Sequence, residues 1–288
     1  VWPRGTLAAM PWSLEGGRAS GPGVFDMKAG VAMGMAVLQA MARETRPSPV
    51  SLLLVPDEEA GSDHSRELLL SVARRHRQVL VLEPSEDGAA KVARKGAGVF
   101  TLRFHGRAAH AGLGPEKGAS ALAEMARFAL SLEGLAEPAR GTTLVPTLCH
   151  AGTVENVVPE RAEVTVDARA WARDEAERAT EAIRGYQCFD PEVTVEGEGG
   201  FDRPPLEPTP AAERLSERAR RLSADLGFEL GAARVGGGSD GNFTAAAGVP
   251  TLDGLGAVGG GAHARDEHVL IGELPRRTAL VAALCAPE

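Results

Sequence analysis

The sequence predicts an α/β protein in which one domain is interrupted by a smaller inserted domain. Over residues 1–95, short apolar runs alternate with segments of helical periodicity, which is typical of a parallel sheet covered by helices. The pattern then changes to strand, helix, two strands, helix and strand, the order of a split β-α-β domain. We therefore predict a first domain from residues 1–95 and 205–288, interrupted by an inserted domain at residues 96–204.

The first domain begins with helices and buried strands in alternation. Helical spacing covers residues 28–44 and 65–75, and uninterrupted apolar runs predict buried strands at residues 50–55 and 79–82. In a parallel sheet, ligands bind beyond the carboxyl ends of the strands. Asp57, Glu58 and Glu59 follow the first of these strands, and Glu83 follows the second. The two acidic groups are therefore expected to share one edge of the sheet.

The inserted domain is predicted from alternating strands and amphipathic helices. The predicted strands are residues 98–105, 143–152, 161–170 and 192–196, and the helices are residues 117–132 and 174–184. Residues 197–210 are rich in proline and glycine and predict a linker back to the first domain. A helix at residues 211–226 then opens the last part of the chain.

Composition limits the classes of partner. The 288 residues carry a net charge of -8 and no local cluster of Lys and Arg, which argues against a nucleic-acid partner or an anionic membrane surface. Residues 30–41 form the longest apolar stretch, which is too short to cross a bilayer. Three cysteines without C-x-x-C spacing argue against a disulfide framework or a thiolate metal site.

The start of the chain does not indicate a cellular location. It opens at Val1 without a basic and apolar leader, so we expect the original N-terminus to lie upstream. A cytoplasmic location is our expectation, with a removed signal peptide as the open alternative.

Two further residues join the acids as candidate metal ligands. Asp26 lies in a glycine-rich turn that enters a helix, and His263 lies in a glycine-rich loop near the C-terminus. Clustered carboxylates repel one another unless a cation lies between them, and carboxylate and imidazole are ligands that zinc accepts. Each residue also fits a structural role: Asp26 as a helix N-cap, Glu83 as a loop acid and His263 as a surface histidine.

Seven strings carry a resemblance to a known family: GPGVFDMKAG, VPDEEAGS, LVLEPSEDG, GRAAHAG, AGTVENVVP, VDARAW and GGGSDGNF. In this order and spacing they resemble the co-catalytic two-zinc family of glutamate carboxypeptidase, acetylornithine deacetylase and succinyl-diaminopimelate desuccinylase. The glutamate carboxypeptidase branch is the most similar. The resemblance implies a zinc-peptidase-like catalytic domain interrupted by a ferredoxin-like (βαββαβ) lid that also forms a homodimer. It implies hydrolysis of an amide bond in a small peptide or an N-acyl amino acid.

The resemblance also implies a role for each acidic residue of the first domain. Asp26 would bridge two zinc ions, Glu59 and His263 would complete one site, and Glu83 would serve the other. Glu58 would be the general base that takes a proton from the attacking water. Asp57 would orient a ligand histidine.

The remaining implied site residues bind the substrate. His110 would polarise the oxyanion, Asn156 would hold the substrate, and Arg169 would pair with its terminal carboxylate. The glycine-rich segment would line the pocket through Gly237, Gly238 and Ser239.

One feature departs from the family, and two alternatives stay open. A further zinc-binding histidine of the family belongs to an H-x-D motif that precedes the segment matching Val1, so this chain lacks it. The chain is therefore expected to be a fragment of a two-zinc enzyme, and one alternative is a catalytically impaired, dimerising remnant that only binds ligand. The other is a serine hydrolase, because residues 237–241 satisfy G-x-S-x-G and Ser239, Asp253 and His263 follow in hydrolase order. That alternative leaves the acidic residues unexplained.

Overall fold

The computed structural model describes residues 2–44 and 49–287, and these form two compact units. The first unit comprises the chain up to Arg94, Leu206–Val235 and Ser239 onward, and the second comprises Lys95–Pro205 with Gly236–Gly238. At both junctions the boundary differs by one residue from the predicted domains 1–95, 96–204 and 205–288.

The first unit combines helices with short strands. Its helices are α1 (Thr6–Ala9), α2 (Ala29–Met41), α3 (Arg66–Ala73), α6 (Pro210–Asp225), α7 (Gly241–Ala246) and α8 (Leu274–Cys285). Its strands are β1 (Ser13–Glu15), β2 (Arg18–Ser20), β3 (Val79–Leu80), β4 (Ala90–Arg94), β9 (Ala232–Val235), β10 (Thr251–Leu252), β11 (Gly259–Gly260) and β12 (His268–Leu270). Strands β10 and β3 pair in parallel, as do β4 and β9, whereas β1, β2, β12 and β11 form an antiparallel sheet. The predicted α/β class is confirmed, and the antiparallel sheet is an addition to it.

The prediction of a buried strand at residues 50–55 is wrong. The structure assigns no strand there, and the side chain of Leu54 is 58% exposed. A cavity of about 1080 Å³ is bordered by this segment, by α2 and by residues 79–83. An apolar run becomes a strand only where a neighbouring strand pairs with its backbone. Among the described residues, no strand pairs with this segment.

Helix α2 is a core element of the first unit. Its residues Val37 and Met41 share a buried cluster with Leu280 and Leu284 of α8. By length and composition alone, Val24–Met41 is apolar enough to cross a membrane, contrary to the expectation from residues 30–41. A helix that packs into a protein core meets the same criterion.

The second unit confirms the predicted βαββαβ order. Its elements are β5 (Gly96–His105), α4 (Ala121–Leu135), β6 (Thr143–Ala151), β7 (Arg161–Ala170), α5 (Arg173–Arg184) and β8 (Thr194–Arg203). The strands form an antiparallel sheet in the order β6-β7-β5-β8. Alternate residues of the central strands, such as Phe104 and Val164, are buried against Phe128 of α4 and Ile183 of α5.

The predicted linker begins later than expected. Strand β8 runs to Arg203, so residues 197–203 belong to the sheet and not to the linker. The glycines of this stretch suggested a loop, but β8 is an edge strand and its register against β5 shifts between Ala97 and Gly98. Glycine is compatible with such an irregular edge.

Substitution of Gly30 is expected to destabilise the first unit. A Cβ at Gly30 would lie 2.2 Å from the backbone oxygen of Leu82, so α2 could not keep its distance from the chain that leads to Glu83. We expect Gly30→Ala to lower the free energy of unfolding by about 1–3 kcal/mol, measured by urea denaturation. Gly134→Ala in α4 is the control, because no atom lies within 4 Å of the added carbon. That change should raise stability by about 0.5 kcal/mol; equal effects of both changes would contradict the steric argument.

Candidate active site

Three ligand-type side chains from separate loops meet in the first unit. Atom Nε2 of His263 lies 3.0 Å from Oδ2 of Asp26 and 3.4 Å from Oε1 of Glu59. One ligand atom from each residue lies within 4.8 Å of the other two. Two carboxylates and one imidazole are a donor set that fits zinc. The structure thus brings together the residues that the sequence assigned to one metal ion.

The turn that carries Asp26 connects β2 to α2. Gly23 adopts a left-handed conformation with φ 74°, and Val24–Lys28 then forms a π-helical turn in which Asp26 itself is extended. The peptide bond that follows Asp26 is cis. Helix α2 starts at Ala29 with Lys28 at its N-cap position, so Asp26 is not the cap of this helix.

Glu58 and Glu59 lie side by side in one 3-10 turn, Glu58–Ala60. The backbone oxygen of Asp57 closes this turn by accepting from the N–H groups of Ala60 and Ser62. The hydroxyl of Ser62 donates to the carboxylate of Asp240. These bonds fix the path of the turn on both sides of the adjacent glutamates.

One oxygen of the Asp57 side chain has a structural role. Its Oδ2 accepts from the backbone N–H groups of His64 and Ser65, at 2.9 and 3.2 Å, and so it holds the chain that enters α3. His263 contacts Asp26 and Glu59, and the prediction that Asp57 orients a metal-binding histidine stays a prediction.

Glu83 lies among other negative charges. Burial raises its pKa, and the charges of Asp253 and Asp26 act in the same direction. Glu58 adds to this effect, Arg94 opposes it, and the resulting pKa is about 8. A carboxyl group in this position lacks a compensating positive charge, which a bound divalent cation would supply. The surroundings of Glu83 therefore fit a metal ligand.

Ser239 belongs to a buried network that excludes the serine-hydrolase alternative. Arg94 donates Nε and Nη2 to the two carboxylate oxygens of Asp253, at 2.8 and 2.9 Å. Ser239 is fully buried, and its hydroxyl donates to the same carboxylate and accepts from the N–H of Gly241. His263 is held by Asp26 and Glu59, so Ser239 has no histidine to activate it. The pocket-lining role predicted for Ser239 stays a prediction.

His110 and Asn156 lie on adjacent backbone in the second unit. The N–H of Ala111 donates to the oxygen of Asn156 at 2.8 Å, and His110 pairs with Val157. The Nδ1 atom of His110 accepts from the N–H of Gly112 at 3.1 Å. A neutral imidazole that accepts at Nδ1 carries its proton on Nε2, where it is able to donate to a negatively charged oxygen. Both side chains are exposed.

The guanidinium of Arg169 is already paired. Its Nε and Nη2 donate to the two oxygens of Asp167 at 2.9 and 2.8 Å. The hydrogen bonds that Arg169 donates to Asp167 raise the pKa of Arg169. A substrate carboxylate would therefore share or displace Asp167. Gly237 and Gly238 lie in the second unit, where Gly238 packs beside Arg203, and their contact with substrate stays a prediction.

Arg94 and Glu267 were not predicted as part of the site, and Asp253 was predicted only in the serine-hydrolase alternative. Asp253 directly follows β10, so the rule that singled out the acids after strands could have found it. Glu267 lies four residues after His263 and has no such signal, because its partners are backbone N–H groups more than 240 residues away.

The chain matches a family model and curated relatives over nearly its whole length. The model for peptidase family M20/M25/M40 matches residues 1–286. Carboxypeptidase G2 from Pseudomonas sp. (strain RS-16) is 30% identical over 99% of this chain and 70% of its own length. A succinyl-diaminopimelate desuccinylase from Granulibacter bethesdensis is 26% identical over 95% of this chain and 77% of its own length.

Solved structures share the fold. Aminopeptidase PepT from Bacillus cereus superimposes with a TM-score of 0.79 at 22% identity, covering 95% of this chain and 74% of that protein. An M20 family metallo-carboxypeptidase from Sulfolobus solfataricus gives a TM-score of 0.71 at 14% identity, covering 99% of this chain and 82% of that protein. The predicted combination of a peptidase-like α/β domain and an inserted domain is confirmed by these similarities.

The raised pKa of Glu83 predicts a pH-dependent stability of the metal-free chain. The folded state keeps the proton up to about pH 8, whereas the unfolded chain releases it near the usual pKa of 4.5. Between these values the unfolded state binds fewer protons, so the free energy of unfolding falls by at most about 1.4 kcal/mol per pH unit as pH rises. Urea denaturation of chelator-treated protein between about pH 5.5 and 7.5 measures this slope. Glu83→Gln should remove the Glu83 part of it; identical slopes in parent and variant would contradict the assignment.

Proposed function

Because the chain belongs to peptidase family M20/M25/M40, and so to the metallo-carboxypeptidase and amidohydrolase class of hydrolases, we propose that it cleaves an amide bond with bound zinc. The proposed substrate is a small peptide or an N-acyl amino acid. The observation that carries the proposal is the meeting of Asp26, Glu59 and His263 within 4.8 Å. The named activities of its relatives, a carboxypeptidase and a desuccinylase, support this class of substrate.

The proposed metal ligands divide into two groups that share Asp26. Asp26, Glu59 and His263 would hold one zinc ion, and Asp26 with Glu83 would hold another. When bound, zinc supplies a Lewis acid and lowers the pKa of a coordinated water towards neutrality. Glu83 has a pKa of about 8, so it must release its proton before it binds a metal. We therefore expect zinc binding by Glu83 to strengthen as pH rises towards 8.

Glu58 is proposed as the general base. It adjoins Glu59 in the same turn, and its charge contributes to the raised pKa of Glu83, so it lies at the edge of the ligand cluster. A carboxylate there accepts a proton from the attacking water and later returns it to the leaving nitrogen. One glutamate of the pair thus holds metal while its neighbour stays free for proton transfer.

The substrate-binding roles of the second unit remain proposals from the family resemblance. The proton on Nε2 of His110 suits it to stabilise a developing oxyanion. Asn156 would hold the substrate, and Arg169 would bind a free carboxylate in competition with Asp167. A substrate with a terminal carboxylate is therefore favoured.

We also propose that the chain forms a homodimer through the second unit. Strand β6 lies at the edge of its sheet and exposes Val145 and Leu148, by 49% and 61%. Helix α4 exposes Leu130 by 70%. An unpaired strand edge with apolar side chains is suited to pair with a second copy.

Changes at Glu58 and Glu59 separate proton transfer from metal binding. Glu58→Gln should retain the zinc content of the parent but slow amide hydrolysis by about 10²–10⁴-fold, because an amide does not accept the proton. Glu59→Gln should lose zinc on dialysis and regain activity when zinc is added, because a neutral amide is a poor zinc ligand. Metal analysis and initial rates with N-acyl amino acids measure both effects. Hydrolysis at the parent rate by Glu58→Gln would rule out the general-base role.

A change in β6 tests the dimer. Leu148→Lys places a charge on the exposed edge strand and should shift the molecular mass in light scattering from dimer to monomer at micromolar concentration. Leu14→Lys, at a residue of the first unit with 58% exposure, is the control and should leave the mass unchanged. A parent chain that is monomeric over this range would exclude the proposal.

A further inference from the structure

Glu267 is a fully buried carboxylate in the first unit. Among the described residues, no Lys or Arg forms an ion pair with it. Burying a charge is costly unless hydrogen bonds compensate it. The compensation here comes from N–H groups, and it connects Glu267 to the metal-ligand cluster.

Each oxygen of the Glu267 carboxylate accepts two hydrogen bonds. Oε2 accepts from Nε1 of Trp2 at 2.8 Å and from the N–H of Gly23 at 2.7 Å. Oε1 accepts from the N–H groups of Phe25 and Asp26, at 2.9 and 3.0 Å. Consecutive backbone N–H groups that converge in this way form an anion-binding concavity. Here the Glu267 carboxylate fills this concavity.

The antiparallel sheet places Glu267 beneath the Asp26 turn. Strand β12 begins at His268, which pairs with Ser20 at the end of β2, where the chain enters the turn. The N–H of Gly21 donates to the backbone oxygen of Glu267 at 3.4 Å. Glu267 also lies four residues after His263, in the same loop region. One residue thus joins the loops that carry two of the three clustered ligands.

We propose that Glu267 is a positioning residue that fixes the backbone of Asp26 and thereby sets the metal affinity of the cluster. This inference rests on the proposed zinc function, which it deepens. The N–H of Asp26 is bound by Glu267, while its carboxylate lies against His263. Asp26 departs from helical geometry within its turn, and the Glu267 carboxylate binds three N–H groups of this part of the chain. These hydrogen bonds hold the backbone from which the Asp26 carboxylate reaches His263.

The chemistry of the contact requires a carboxylate. An ionised carboxylate only accepts hydrogen bonds, so its two oxygens match four converging donors. In Glu267→Gln, the amide NH₂ would face two N–H groups as a donor and leave them without an acceptor. The change keeps the size of the side chain and removes only its accepting capacity on one side.

Zinc affinity tests the role of Glu267. We expect Glu267→Gln to raise the zinc Kd, measured by competition with a chromophoric chelator, by about 10–100-fold. The matched control is Glu124→Gln in the second unit, where another fully buried carboxylate accepts from the hydroxyl of Tyr186 and the N–H groups of Phe189 and Asp190. That variant should lose stability and keep the zinc Kd of the parent. Equal zinc loss in both variants, or none in Glu267→Gln, would overturn the proposal.

A double-mutant cycle separates positioning from a simple charge effect. If Glu267 acts through Asp26, Glu267→Gln should add little to the weakened zinc binding of Asp26→Asn. If Glu267→Gln raises the zinc Kd by the same factor in the parent and in Asp26→Asn, Glu267 acts by its charge, and the positioning role is refuted.

Amide hydrogen exchange gives a readout that needs no metal. In the metal-free chain, the N–H groups of Gly23, Phe25 and Asp26 should be protected and should exchange at least about tenfold faster in Glu267→Gln. Unprotected amides in the parent would overturn the positioning proposal whether or not zinc binds. Protected amides in a chain that binds no zinc would instead uphold the contact and reject the zinc function.

Discussion

Crowding of negative charge is the constraint on which the structure of the first unit depends. Burial and the negative charges of Asp253, Asp26 and Glu58 raise the pKa of Glu83 to about 8, and Glu59 lies beside Asp26. Carboxylates stay close only where positive charge or N–H groups compensate them. The loops of this unit supply that compensation in different ways, and the differences indicate the role of each acid.

The two fully buried acids, Asp253 and Glu267, are compensated by groups of the protein itself. Asp253 is held by the fork of Arg94, and Glu267 by N–H groups of the Asp26 turn. The carboxylates of Asp26 and Glu59 lie against His263, a neutral ligand when its imidazole is unprotonated. The fold therefore neutralises Asp253 and Glu267 internally, and under the proposed function a bound cation would neutralise the acids of the ligand cluster. This division separates residues that shape the site from residues that would bind metal.

Hydrophobic periodicity in the sequence predicted those helices and strands whose formation depends on their own residues. The βαββαβ order followed from periodicity, because each strand and helix of the second unit shows its buried face in its own sequence. Residues 50–55 have an equally apolar sequence, but a strand also needs a paired neighbour, which no local pattern reveals. The ligand cluster could be anticipated from the acids after an apolar run and from Asp26 and His263 in glycine-rich segments, although the apolar run before Glu59 is not a strand. Glu267 could not, since its donors are backbone groups from the opposite end of the chain.

The ion pair between Arg169 and Asp167 has a consequence for the proposed binding of a substrate carboxylate at Arg169. Both residues lie on β7, so Asp167 acts as a tethered competitor whose effective concentration near the guanidinium is in the millimolar range or above. A carboxylate that displaces Asp167 gains only the difference in free energy between two similar ion pairs. Discrimination among anionic ligands at this arginine then rests on how well the rest of each ligand is held, and simple anions in the surrounding solution compete poorly.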